Sequence, residues 1–220
     1  MKANAIASER INPFYVRLKH LKMEKWYVNA MQEAKSKRCP FSKENNYNKL
    51  EIDKIGFYKK QLWFHFCGIV NEGWVPHKFV RKNYRLLKLH FKIDHQYDNA
   101  IVAAQNLLSY SGYDLSIDNV IKFIEDKHSY VPNDFFRLFI NNKGSFKILN
   151  NKSYRRIRGQ LLRNRPVVMW LDNNEHCVIL IGFNRKVFFY KDAYDGLNKT
   201  ITVSQLTHRW KKSGYLAFSY

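Results

Sequence analysis

Asn99-Ala100-Ile101-Val102-Ala103-Ala104-Gln105-Asn106-Leu107-Leu108-Ser109-Tyr110-Ser111-Gly112 is the stretch on which the reading of this chain turns. Ile101, Val102, Ala104, Gln105, Leu107 and Leu108 recur at helical spacing. Asp98-Asn99 stands at the start, where short polar side chains take up free N–H groups, and Gly112 supplies the stop. The stretch therefore predicts a helix over residues 99–111, headed by Asn99.

Further along the chain, Ser116 caps a second helix through Ile117, Val120, Ile121, Ile124 and Glu125, and residues 153–162 read as a third, basic amphipathic helix. Three apolar runs then read as strands: Pro166-Val167-Val168-Met169-Trp170-Leu171, His176-Cys177-Val178-Ile179-Leu180-Ile181-Gly182 and Lys186-Val187-Phe188-Phe189-Tyr190-Lys191. Their short polar links favour antiparallel hairpins. Helices first and an antiparallel sheet after is an α+β arrangement.

In the other direction the text changes character. Residues 26–80 read as short aromatic strands: Lys25-Trp26-Tyr27-Val28-Asn29-Ala30, Gly56-Phe57-Tyr58 and Leu62-Trp63-Phe64-His65-Phe66. The polar stretch 42–49 divides them, and they close on Gly73-Trp74-Val75-Pro76-His77-Lys78-Phe79-Val80. Small all-β barrels are built from such pieces. Residues before Asn12 read as a loose terminus. The expected domains are an extension over 1–24, a small barrel over 25–82 and an α+β domain over 83–220.

The chain of 220 residues is long enough for a substantial core. Its formal charge of +20 attracts polyanions, whether nucleic acid, anionic lipid or wall polymer, without choosing among them. Basic residues are spread over the whole chain with only short clusters such as Arg155-Arg156-Ile157-Arg158, which argues against a dedicated nucleic-acid arm. Cys39, Cys67 and Cys177 are odd in number and widely spaced, so they predict neither a disulfide framework nor a metal site, and no cofactor is expected. No segment is long and apolar enough for a membrane helix, and residues 1–9 lack the apolar run of a secretory signal. The expected location is the cell surface or the outside if a signal precedes this chain, and the cytoplasm otherwise.

The order of features from Asn99 onward resembles the papain-like peptidases of the C39 type, which process double-glycine leader peptides in bacteria. In that family a Cys heads a helix of small and apolar residues ending in Asn-Tyr-Tyr-Gly. The catalytic His opens a strand ending in glycine and an aromatic, and the Asp precedes a Pro-Tyr-Gly-like turn. Here the corresponding runs are Asn99 to Gly112, then His176 to Phe183, then Lys191-Asp192-Ala193-Tyr194-Asp195-Gly196, with Arg165-Pro166-Val167-Val168 resembling the strand before the His. Alone, His176 would read as a core histidine and Asp192 as a turn residue; their register with the Asn99 helix lifts them.

The resemblance implies His176 and Asp192 as catalytic positions, Asn99 at the nucleophile position and Gln96 at the oxyanion position. A thiol attacks as its thiolate, which a helix N-terminus and a nearby imidazolium favour, and a carboxylate orients the imidazole. A carboxamide has no proton to lose near neutral pH, so Asn99 suits a helix cap or a partner for His176. The family's Gln stands several residues ahead of the Cys, whereas Gln96 is only three ahead of Asn99. The N-terminal part resembles bacterial SH3-type modules through Gly73-Trp74-Val75 and, more weakly, Ser36-Lys37-Arg38-Cys39-Pro40, which implies Trp74 and Trp63 as ligand-binding aromatics. The expected fold class is thus α+β: a small all-β SH3-like barrel followed by a papain-like domain with N-terminal helices and a C-terminal antiparallel sheet. The expected function is a non-catalytic peptidase-like protein that binds a peptide or an anionic cell-wall polymer, with nucleic acid reached through charge only. The alternatives are a working cysteine peptidase or amidase using another thiol, and a general polyanion binder. Oligomeric state is not legible.

Overall fold

The aromatic-rich N-terminal text and the helix-bearing C-terminal text fold as two units, Met1–Lys88 and Leu89–Tyr220. The structure, a computed structural model, describes residues 8–18, 25–27, 38–40, 50–58, 61–67, 72–125 and 127–220. The parts of the expected elements at 28–30, 36–37 and 42–49 thus lie outside the described residues.

Among the described residues seven strands make the first unit: β1 (Ser8–Val16), β2 (Lys25–Tyr27), β3 (Arg38–Pro40), β4 (Leu50–Tyr58), β5 (Gln61–Cys67), β6 (Glu72–Pro76) and β7 (Arg85–Leu87). They pair antiparallel in the order β3-β2-β6-β5-β4-β1-β7. One face carries Phe14, Val16, Ile52, Phe64, Phe66 and Val75 into the core. Arg85 is buried with them, its guanidinium 4.0 Å from the centre of the Phe14 ring, where the ring face attracts the cation.

The expected SH3-like barrel is not what forms. Closing a barrel requires the two end strands of the ladder to pair. Among the described residues of the first unit the ladder is an open path, whose two outermost strands, the three-residue β3 and the three-residue β7, do not pair with each other. Ser8–Val16, expected within a loose extension, is a nine-residue strand set between β4 and β7. Short aromatic strands and a Gly-Trp-Val ending suit an open sheet as well as a closed one, so these local features did not discriminate.

The second unit opens on α1 (Asn99–Tyr110), followed by α2 (Ile117–Ile121) and α3 (Phe136–Lys143). Asp98 caps α1, its carboxylate accepting the Ala100 N–H at 2.7 Å, and Gly112 leaves the helix at φ +99°. Ala100 to Leu108 are all buried, and α1 packs on β9 (Val167–Leu171) and β10 (His176–Phe183). The sheet continues through β11 (Val187–Asp192) and β12 (Asn198–Thr202) on one side of β10. On the other side of β9 come β13 (Ala217–Ser219) and β8 (Lys147–Ile148), and every pair is antiparallel.

The layout of helices first and sheet after also needs correction. Strand β8 precedes α4 (Tyr154–Leu162), and a fifth helix, α5 (Val203–Lys212), lies between β12 and β13. Helix α5 forms because Thr202 and Gln205 make a reciprocal capping box and because Leu206 and Trp210, one turn apart, bury one stripe. Its remaining surface is polar and basic, which hides it from a search for apolar periodicity. Strands and helices therefore interleave. The core gathers around Phe218, whose ring meets Phe135 at 5.3 Å, Phe139 at 5.5 Å, Phe146 at 5.3 Å and Trp170 at 5.9 Å.

Candidate functional site

Asn99 is the first residue of α1 and is half-buried; the capping role belongs to its neighbour Asp98. The loop before α1 is anchored from behind. Asn106 is 1% exposed and accepts the Lys92 N–H at 2.7 Å, while its Nδ2 donates to the carbonyls of Lys92 and Val102, both at 2.8 Å. The same loop meets the turn after β11. The His95 and Tyr194 rings stand edge to face at 5.6 Å. A Cβ on Gly196, whose φ is +65°, would lie 2.8 Å from Ile93 Cδ1, so this turn accepts only glycine without a shift. Gln96 sits exposed on the loop, its N–H donating to Asp94 Oδ1 at 3.0 Å.

His176 begins β10, half-buried and opposite Leu171. Asp192 ends β11 opposite Val178, two residues beyond His176. Alternation along a strand therefore puts His176 and Asp192 on one face of the ladder as diagonal neighbours, typically about 7–8 Å apart. Among the described residues no hydrogen bond or ion pair joins them. The Asp192 carboxylate is engaged elsewhere: Oδ1 accepts the Tyr194 N–H at 3.1 Å, and Oδ2 is 3.0 Å from Lys199 Nζ. Lys199 also reaches Asp195 at 2.6 Å; this hydrogen bond lowers the Asp195 carboxyl and raises the lysine. On the other side, His176 lies in the field of Asp172. That carboxyl is held below its ordinary value first by the hydrogen bond from Arg209 Nε at 2.7 Å and then, less, by the charges of Arg209, His176 and Lys212.

Of the thiols, Cys177 neighbours His176 but points to the opposite face of β10. It is buried, and burial pushes its pKa well above the ordinary thiol value, with the carboxylates of Asp98 and Asp192 pushing the same way. Exposed Cys67 belongs to the first unit; partial burial, Asp53 and Glu51 raise it as well. The side chain of Cys39 lies outside the described residues. Trp63 is 1% exposed within the first unit's core, and Trp74 is half-buried with its ring edge-on to His65 at 5.1 Å. Among the described residues no group of three metal-ligating side chains converges.

Sequence reasoning placed Asp98 at the start of the helix but missed Asn106 and Lys199 as parts of this arrangement. Asn106 left a signal, a polar side chain inside an apolar helical run. Lys199 left none, because its partnership with Asp192 depends on the β11–β12 register, which sets Tyr190 opposite Lys199.

A search of the curated proteins finds no match. A crystal structure from Bacillus anthracis, of a protein assigned as a C39-like peptidase, is similar with a TM-score of 0.53, covering 60% of this chain and 94% of that one at 16% identity. At that identity the likeness is one of fold. The model of the Peptidase_C39 like family matches residues 88–218, which spans α1, His176 and Asp192. With more than half of its length matched in this way, the chain belongs to the Peptidase_C39 like family.

Proposed function

We propose that this chain is a non-catalytic member of its family, which holds a peptide at the N-terminal end of α1 without cutting it. The observation that carries this reading is the state of the nucleophile. The first residue of α1 is a carboxamide, and the described thiols are held protonated: Cys177 by burial and two carboxylates, Cys67 by burial and its acidic neighbours. Asp98 adds to it, because a carboxylate fixed at the helix cap repels a second anion beside it. The Lys199 ion pair on Asp192 further weakens the support a carboxylate can give an imidazolium.

The test is a fluorogenic peptide-cleavage assay on the native chain, on Asn99→Cys and on Asn99→Cys with Asp98→Ser, which keeps a capping side chain and removes its charge. The native chain is expected to be silent. Iodoacetamide-sensitive turnover is expected in Asn99→Cys and more of it in the double variant. Turnover by the native chain that iodoacetamide stops would overturn the proposal.

A further inference from the structure

Charge is unevenly distributed in the second unit. Between Asp134 and Asp172 the chain carries no carboxylate side chain and nine basic residues. Six of the chain's thirteen arginines fall in this segment, against three of its twenty-five lysines. A generally lysine-rich composition does not produce that bias. Arginine's planar fork matches two oxygens of a phosphate and stacks on flat rings, which an ammonium does not do.

The fold turns this segment into a surface. Helix α4 buries Ile157, Gln160 and Leu161 and leaves Arg155 and Arg156 exposed, with Lys152 before the helix and Arg163 after it also exposed. Arg156 and Arg163, seven residues apart, line one stripe of α4 about 10 Å apart along the axis, and exposed Lys152 precedes the helix. Gly159 lies between them with open space where a side chain would stand. Arg158 folds the other way, over Phe183 at 5.1 Å and Phe188 at 5.4 Å, and donates to the Asn184 carbonyl at 3.2 Å. That bond brings the β10–β11 turn, with exposed Arg185 and Lys186, beside α4. Among the described residues no ion pair neutralises Arg155, Arg156, Arg163, Arg185 or Lys186. At the head of α4 Tyr154 is 38% exposed, with the Arg158 guanidinium 5.4 Å from the centre of its ring.

We infer that the exposed face of α4, with the β10–β11 turn, is a docking surface for single-stranded nucleic acid, its arginines on the phosphates and Tyr154 offered to a base. Charge alone would serve any polyanion; the arginine bias and the open ring among the arginines favour a strand of phosphates that also carries flat bases. No base edge is read, so affinity is strongly salt-dependent and tolerant of sequence.

The experiment measures fluorescence anisotropy of a labelled oligothymidine of about twenty nucleotides on the full chain across a salt series. Arg156→Gln with Arg163→Gln is expected to flatten the log–log salt slope by about 1.4, roughly 0.7 for each phosphate left without its arginine. Tyr154→Ala is expected to weaken binding about tenfold with the slope unchanged. Lys82→Gln with Lys211→Gln removes the same charge from exposed sites elsewhere and is expected to leave affinity within about twofold. Circular-dichroism melts confirm that each variant is folded. An equal weakening in the control pair would overturn the inference in favour of a diffuse field. So would an unchanged Tyr154→Ala, or a poly(glycerol phosphate) of equal charge competing as well as the oligonucleotide.

Discussion

Lys199 Nζ lies 3.0 Å from Asp192 Oδ2, so the carboxylate on the same ladder face as His176 is already paired with a cation. The lysine arrives through the β11–β12 hairpin, where Lys199 stands opposite Tyr190, and it also grips Asp195 in the turn. An aspartate so engaged holds its turn in shape, with the Gly196 N–H donating to the Asp192 carbonyl at 2.8 Å, but has less field to give a neighbouring imidazole.

Removing that lysine is informative only in a chain that has a nucleophile. In Asn99→Cys, adding Lys199→Gln should raise thiol-dependent peptide turnover, because Asp192 is then free to orient and charge-stabilise His176. Single-turnover rates with and without the lysine substitution make the comparison. Equal rates would mean that Asp192 does not act on His176 in this fold.

Cys177 should be silent to alkylation in the folded protein. Its burial and the raised pKa leave neither access nor thiolate near neutral pH. Mass spectrometry after iodoacetamide should find Cys67 modified slowly, faster as pH rises, and Cys177 modified only after denaturation.

The ion pair of Asp172 with Arg209 ties α5 to the β9–β10 turn and makes acid stability readable. The folded Asp172 carboxyl is depressed, chiefly by that hydrogen bond, so its contribution is fully present above the unfolded carboxylate value of about 3.9. It is lost as pH falls through the folded value. Asp172→Asn should cost about 1 kcal/mol at neutral pH, since both side chains are partly exposed, and should shrink the difference from the native chain in strong acid. Urea titrations at neutral and acid pH measure both.

What the sequence made legible was local. Helix α1 could be read because its cap, its apolar run and its glycine stop all lie within fifteen residues, and the order of Asn99, His176 and Asp192 could be read because it is an order along the chain. What it hid was pairing at a distance. Whether β3 and β7 meet decides between barrel and open sheet, and no local pattern in either strand encodes it. Helix α5 escaped because only Leu206 and Trp210 mark its buried stripe. Lys199 reads as one more lysine in a basic chain until the hairpin register sets it beside Asp192.

Asn106 gives the last test, because it couples the helix interior to the loop that leads into the site. Its carboxamide is buried, and three hydrogen bonds join it to Lys92 N, Lys92 O and Val102 O. Asn106→Leu keeps the volume and satisfies none of these, leaving the Lys92 amide and carbonyl short of partners in a partly buried place. One uncompensated buried polar group costs about 1–3 kcal/mol, so a loss of roughly 3 kcal/mol in urea unfolding is expected. The effect should also be directional. Hydrogen exchange should accelerate at residues 92–98, which lose their anchor, while β9 and β10, held by their own ladder, keep the protection that the remaining stability allows. Uniform acceleration over the whole second unit would mean that the loop is held by its packing on the Tyr194–Gly196 turn and that Asn106 serves α1 alone.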